Sequence, residues 1–172
     1  MKLKSLPTFA EKFRGRALMY VLDTGVIWNL HKNYYRKRFV SLWKEFQLVA
    51  DGKITLTREV FHELGEGSPG ADLEWAKANA KLFASPDAKE GTFVAKIYAI
   101  AHFQANIEKQ KLYKGRNADA FVVARAYAIG ETVVTAERLK PNAVKVPNIC
   151  AHSKIPCLDL ERGIHGERRL GF

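Results

Sequence analysis

One apolar stretch followed at once by a β-branched one constrains the fold of this chain most strongly. Residues 118–129 are apolar on nearly every side, which predicts a buried helix, and Gly130 is placed to end it. Residues 132–135, with the sequence TVVT, then predict a strand. A helix that feeds a strand, with neither showing a polar face, is typical of a parallel sheet that is covered on both faces. We therefore expect an α/β fold.

The rest of the chain supplies further elements for such a sheet. Residues 17–22 predict a buried strand that ends at Asp23, and shorter strands are expected at 53–56, 143–146 and 158–160. Apolar residues spaced three and four apart predict helices over 34–50, 57–65, 72–83 and 92–110, and the glycines and proline of 65–70 predict a loop.

Length and charge bound the class of protein. A chain of 172 residues fits one domain, which we place at 17–161, between a basic extension at 1–16 and a tail at 162–172. Its 28 Lys and Arg against 18 Asp and Glu give a net charge of +10, as expected of a nucleic-acid binder. We find neither a membrane-spanning apolar run nor a secretory signal pattern, so we expect a cytoplasmic protein and no membrane partner.

The two cysteines, Cys150 and Cys157, have six residues between them, which matches no common zinc or redox spacing. We expect reduced, structural thiols. A zinc site that includes His152 is the alternative, and it would need a fourth ligand from elsewhere.

Four acidic residues stand at strand ends or helix starts beside apolar elements: Asp23, Glu63, Asp119 and Glu137. In a doubly wound sheet these positions could converge on one edge. Converging carboxylates repel each other unless cations neutralise them, and ligation by oxygen alone suits Mg²⁺ or Mn²⁺. The hypothesis that follows is a metal site, where such ions could activate water for attack on a phosphodiester.

The strings YVLDTGVIWNL, ITLTREVFHEL, ADAFVVARAYAIGETVVTAE and KVPNICAHSKIPCLDL resemble the PIN domain, in a branch related to VapC-type toxins. The resemblance covers roughly residues 17–161. It implies a Rossmann-like α/β/α sandwich with a mainly parallel sheet and endoribonuclease activity that depends on Mg²⁺ or Mn²⁺. It also implies RNA as substrate, and it makes an antitoxin partner and a homodimer plausible.

Carried over by position, the resemblance makes Asp23, Glu63, Asp119 and Glu137 the catalytic and metal-binding residues. Thr24 and Thr135 match hydroxyl positions that orient carboxylates or water. Gly25 stands where the family usually has Asn at or near this position, which removes a hydrogen bond and puts the rate in doubt more than metal binding.

Other residues are candidates for supporting roles. Glu59 lies one helical turn before Glu63 and could assist or replace it. Lys114, Arg116 and Arg138 flank the proposed site in the sequence, so we predict that they contact RNA phosphates.

Three other classes of protein compete with this hypothesis. The string VLDTG has the form of an aspartic protease loop, but that chemistry needs two such aspartates and the chain has one copy. A PIN-fold module that binds nucleic acid or a partner with little catalysis is the main alternative. A structure-specific DNA nuclease would use similar carboxylate chemistry, and only the resemblance favours RNA.

Overall fold

A computed structural model describes residues 19–67, 69–114 and 117–160, without the side chains of 106 and 110–114. The proposed extensions at 1–16 and 162–172, and Arg116, lie outside the described residues. So does the side chain of Lys114.

Five short strands form one parallel sheet. They are β1 (Tyr20–Leu22), β2 (Ile54–Thr57), β3 (Phe83–Ala84), β4 (Thr132–Thr135) and β5 (Cys157–Asp159). The order across the sheet is β3-β2-β1-β4-β5, and each neighbouring pair is parallel. The predicted α/β class with a central parallel sheet is confirmed.

Helices connect the strands. In chain order the described helices are α1 (Thr24–Asn33), α2 (Val40–Lys53), α3 (Arg58–Glu66), α4 (Ala71–Ala78), α5 (Ala88–Tyr98), α6 (Ala101–Lys114), α7 (Asp119–Ile129) and α8 (Val146–Ser153). Parallel strands are joined by right-handed crossovers, and the chain adds β2 and β3 on one side of β1 but β4 and β5 on the other, so helices lie on both faces of the sheet. One group of packed helices contains α5, α7 and α8, and another contains α1, α3 and α4.

Local sequence explains where the central elements begin and end. The Thr57 side chain caps α3 by accepting a hydrogen bond from the backbone N–H of Val60, at 3.4 Å. Gly130 ends α7 in the left-handed conformation, with φ of 72°. The helix α7 buries Val122, Val123 and Ala124 completely, as its apolar sequence predicts.

Several sequence-based predictions of secondary structure were wrong. The helix expected over 34–50 begins at Val40 and continues to Lys53. Residues 143–146 form no strand: α8 starts at Val146, with Pro147 in its first turn. The helix expected over 72–83 stops at Ala78, and a 3₁₀ turn (Ala80–Leu82) leads into the unforeseen strand β3. The helix expected over 92–110 is two helices, α5 and α6, because the chain breaks between Tyr98 and Ala101.

Candidate metal centre

The acidic side chains meet where the connections leave the sheet in opposite directions. The strand β1 lies between β2 and β4, so its carboxyl end opens on the crevice where doubly wound sheets bind ligands. Asp23 follows β1 directly, and its backbone N–H donates a hydrogen bond to the Val134 carbonyl of β4, at 3.0 Å. This bond fixes Asp23 at the carboxyl ends of the two central strands.

Thr135 holds the Asp23 carboxylate in place. Its hydroxyl donates to Asp23 Oδ2 at 2.8 Å and accepts a hydrogen bond from the Glu137 backbone N–H at 3.0 Å. The backbone N–H of Gly25 also donates to Asp23. Asp23 is 4% exposed, so this carboxylate is desolvated as well as oriented.

Glu63 reaches the same edge from α3. The hydroxyl of Thr24, the first residue of α1, donates a hydrogen bond to Glu63 Oε2. The backbone N–H of Ala118, just before α7, donates to the same carboxylate. Glu63 therefore joins the start of α1 to the start of α7, the helix that begins with Asp119.

Asp119 is held in place by hydrogen bonds with Asn117, a residue that we did not predict to belong to the site. The side-chain oxygen of Asn117 accepts the Asp119 backbone N–H at 3.0 Å, and Asn117 Nδ2 lies 3.4 Å from Asp119 Oδ2. Asn commonly makes this turn with the N–H two residues on. Sequence analysis could have identified Asn117, because an Asn stands two positions before the acidic residue that begins the predicted helix.

The pKa values show that these carboxylates share one electrostatic environment. Burial first, and then the charges of Glu137 and Glu63, raise the Asp23 pKa to about 7, although hydrogen bonds from Thr135 and Gly25 lower it. Burial and then the charge of Asp23, followed by those of Glu137 and Glu63, raise the Asp119 pKa well above its ordinary value. Burial also raises the pKa of Glu63. The structure thus brings all four predicted acidic residues together.

Glu137 is engaged differently from the other three. Its Oε1 accepts a hydrogen bond from Lys145 Nζ at 2.5 Å, and its Oε2 accepts one from the Val146 backbone N–H at 3.2 Å. Val146 begins α8, where the unpaired N–H groups favour a carboxylate. Both oxygens of Glu137 therefore have partners within the protein.

The other two described candidates, Glu59 and Arg138, each lie near an oppositely charged side chain. The Glu59 carboxylate is 3.6 Å from Arg58, while the acidic neighbours that raise the Glu63 pKa are Glu66 and Glu137. Arg138 is 63% exposed, with its Nε 4.0 Å from Asp159 Oδ2.

Asp159 is a further acidic residue that sequence analysis missed as a candidate. It ends β5, pairs in register with Thr135 and is 2% exposed. The sequence did contain a signal for Asp159, because an acidic residue lies inside the strand predicted at 158–160. The carboxyl edge of the sheet was already the proposed site.

The donor chemistry of this cluster fits a hard divalent cation. Asp23, Glu63 and Asp119 are partly or fully buried carboxylates with raised pKa values, and the charge of Glu63 contributes to the rise at both aspartates, so a cation between them would relieve repulsion. Across the part of the chain that the structure describes, no three acidic, His or Cys side chains are already spaced to hold an ion. Ligation would therefore require these side chains to move together.

The buried thiols of Cys150 and Cys157 are not joined in a disulfide. Their mutual contact, burial and the charges of Asp23 and Asp119 raise the Cys150 pKa well above its ordinary value. A buried thiol of this kind is a poor nucleophile.

No helix of the described residues is both long and apolar enough to cross a membrane.

The fold agrees with that of a solved structure. A chain of a structure described as "Structure of FitAB bound to IR36 DNA fragment" superimposes with a TM-score of 0.51 at 16% identity, covering 87% of this chain and 99% of that one. A chain of VapBC2 from Rickettsia felis, bound to a DNA fragment from the promoter, gives a TM-score of 0.42 at 22% identity, covering 73% and 96%.

No curated protein sequence matches the chain. A family model described as "Domain of unknown function (DUF4411)" matches residues 20–169, which is most of the chain. The protein therefore belongs to the DUF4411 family, with an α/β fold that carries an acidic cluster at the switch point of its sheet.

Proposed function

We propose that the protein is a metal-dependent endoribonuclease of the PIN type, acting as the toxin of a toxin-antitoxin pair. The observation that carries this proposal is the convergence of Asp23, Glu63, Asp119 and Glu137 at one sheet edge, where burial and the charge of Glu137 raise the pKa of each of the other three. Structural ion pairs rarely gather four like charges, whereas sites for divalent cations do. The toxin role and the antitoxin partner rest on the resemblance of the sequence motifs to VapC-type toxins.

Asp23, Glu63 and Asp119 would hold Mg²⁺ or Mn²⁺. When bound, such an ion supplies a Lewis acid for the phosphodiester and a lowered pKa for attacking water. The chain's own residues would orient these ligands through hydrogen bonds. Thr135 and Gly25 hold Asp23. Thr24 and Ala118 hold Glu63, and Asn117 holds Asp119. The net charge of +10 favours an RNA substrate electrostatically and does not distinguish it from DNA.

A binding module with the same fold and little catalysis is the second candidate. Two observations favour it: Glu137 has both oxygens engaged, and no ion site is preformed among the described residues. Turnover that depends on a metal separates the two functions.

The test is incubation of the purified protein with a pool of tRNA and rRNA, and with DNA, in Mg²⁺, Mn²⁺ or EDTA. We expect discrete RNA products with either ion and none with EDTA. Attack by water leaves no cyclic phosphate at the product ends, whereas attack by the RNA's own 2′-hydroxyl leaves one. Cyclic phosphate ends, or cleavage that survives EDTA, would contradict the proposal; intact RNA in every condition would favour the binding module, and cleavage of DNA alone would favour a DNA nuclease.

Gly25→Ala is expected to slow cleavage. An added Cβ would lie 3.3 Å from Asp23 Oδ2 and 3.7 Å from the Ala136 Cβ, so the Asp23 carboxylate must shift by a few tenths of an ångström. A small displacement of a reacting group costs roughly tenfold in rate.

The measurement is cleavage rate beside thermal unfolding, with Gly91→Ala as control. Gly91 lies inside α5 and an added Cβ there meets nothing within 4 Å, so this variant should gain stability and keep its rate. Equal rates in the two variants would show that Gly25 does not limit the position of Asp23.

A further inference from the structure

Lys145 contributes a fixed positive charge to the acidic cluster. Its ammonium donates to Glu137 Oε1 at 2.5 Å, with the two side chains 37% and 29% exposed. Ion pairs on an open surface hold few side chains in place, but this pair is partly buried and one partner has a second anchor. That anchor is the Val146 N–H, which donates to Glu137 Oε2 at 3.2 Å.

The backbone of Lys145 is rigidly placed. Its carbonyl accepts the N–H groups of Asn148 and Ile149, at 2.9 and 3.0 Å, and it precedes the first residue of α8. Val146 and Ile149 are fully buried and anchor that helix in the core. Lys145 is therefore held at the cluster by its own backbone.

Glu137 nevertheless remains part of the cluster electrostatically. Its charge raises the pKa of Asp23, Glu63 and Asp119. The four carboxylates and one ammonium carry a formal charge of minus three, which one divalent cation would reduce to minus one. Two such cations would leave it at plus one, and the second would have to take Glu137 from Lys145 and the Val146 N–H, which already occupy both of its oxygens.

We propose that Lys145 takes the electrostatic place of a second cation, so that the cluster binds one divalent ion. This inference rests on the proposed metal site and deepens it. Asp23, Glu63 and Asp119 serve the single ion, and Glu137 stays with Lys145 and the start of α8. Lys145 is a positioning residue, because it acts through Glu137.

The experiment counts bound Mn²⁺ by titrating the full chain and following the EPR signal of free Mn²⁺. Wild type is expected to bind one equivalent. Lys145→Met removes the ammonium while the Val146 N–H still holds Glu137, so this variant is expected to bind two equivalents. Lys145→Arg keeps the charge and should bind one.

Lys140→Met is the matched control, since it removes an exposed lysine five positions earlier and should leave one equivalent. Two equivalents in wild type, or one in a folded Lys145→Met protein, would overturn the inference while leaving the metal site intact. No bound Mn²⁺ in wild type would overturn the metal site itself. If Lys145→Met does not fold, two equivalents in folded Lys145→Gln support the inference and one overturns it.

Discussion

Asp119→Asn is expected to raise the melting temperature of the metal-free protein at pH 8, on the order of 5 °C. The raised pKa values mean that folding forces repelling, desolvated carboxylates together. For Asp23 alone, a rise from 3.8 to about 7 corresponds to a penalty on the order of 4 kcal/mol. Replacing the Asp119 carboxylate with an amide removes a group whose pKa is raised well above its ordinary value by burial and by the charge of Asp23. Thermal unfolding in EDTA measures the effect.

The pH dependence has a definite sign. Below about pH 4, Asp23 is protonated in both the folded and the unfolded chain, so its burial carries no charge penalty. Between about pH 4 and 7 the unfolded chain releases the proton and the folded chain keeps it, so stability falls as pH rises. The melting temperature of metal-free wild type should therefore decline over this window, and Asp119→Asn should flatten the decline.

With divalent ions present, wild type should have a higher melting temperature than Asp119→Asn, the reverse of their order without metal. An ion that binds only the folded state at 100 times its Kd adds about 2.7 kcal/mol, which wild type should gain and Asp119→Asn should largely lose. Glu74→Gln is the control, because Glu74 is an exposed carboxylate, 69% accessible, whose partner is Lys77. A lower melting temperature for metal-free Asp119→Asn than for wild type would contradict the repulsion that we infer.

Arg125→Met is expected to cost about 3–5 kcal/mol of stability. Arg125 lies in α7 and donates to Glu90 Oε1 of α5 at 2.7 Å, where Glu90 is 1% exposed. Removing the guanidinium leaves a buried carboxylate without a counter-charge. Glu90 Oε2 already lacks a hydrogen-bond partner among the described residues, so no donor other than Arg125 is in place to compensate for the lost guanidinium. Urea unfolding measures the loss.

The double variant Glu90→Leu/Arg125→Met is the matched control. Replacing both charges with apolar side chains removes the unpaired carboxylate, so its stability should return to within about 1 kcal/mol of wild type. A double variant as unstable as Arg125→Met would show that packing, and not the uncompensated charge, causes the loss.

The central elements could be predicted because local sequence defines them strongly. The strand β4 was predicted with its observed bounds, since its β-branched run lies between Gly130 and Ala136. The alternation of Val144 and Val146 was a true sign of burial, but Pro147 suits the first turn of a helix, and α8 begins there. The strand β3 has two residues, too few for any sequence pattern.

The parts of the site that lie at strand ends could be predicted from the sequence, whereas contacts made by a long connection could not. Asp23 and Thr135 end neighbouring parallel strands, so the sequence brought them to one edge, and they form a hydrogen bond. The partners of Glu137 depend on the course of the connection between β4 and α8. The alternation of Val144 and Val146 indicated burial but not the course of that connection, so the contact of Lys145 with Glu137 could not be foreseen.

The central claim is that the acidic cluster is the active site of a ribonuclease, and cleavage by carboxylate variants tests it most directly. Wild type, Asp23→Asn, Asp119→Asn and Glu74→Gln are compared on one RNA substrate in saturating Mn²⁺, each shown to be folded. Since loss of residues that merely orient metal ligands already costs 10–100-fold, we expect both aspartate variants to lose at least about 100-fold. Glu74→Gln should match wild type. Cleavage that persists in Asp23→Asn and Asp119→Asn would contradict the account, because the activity would then come from another site.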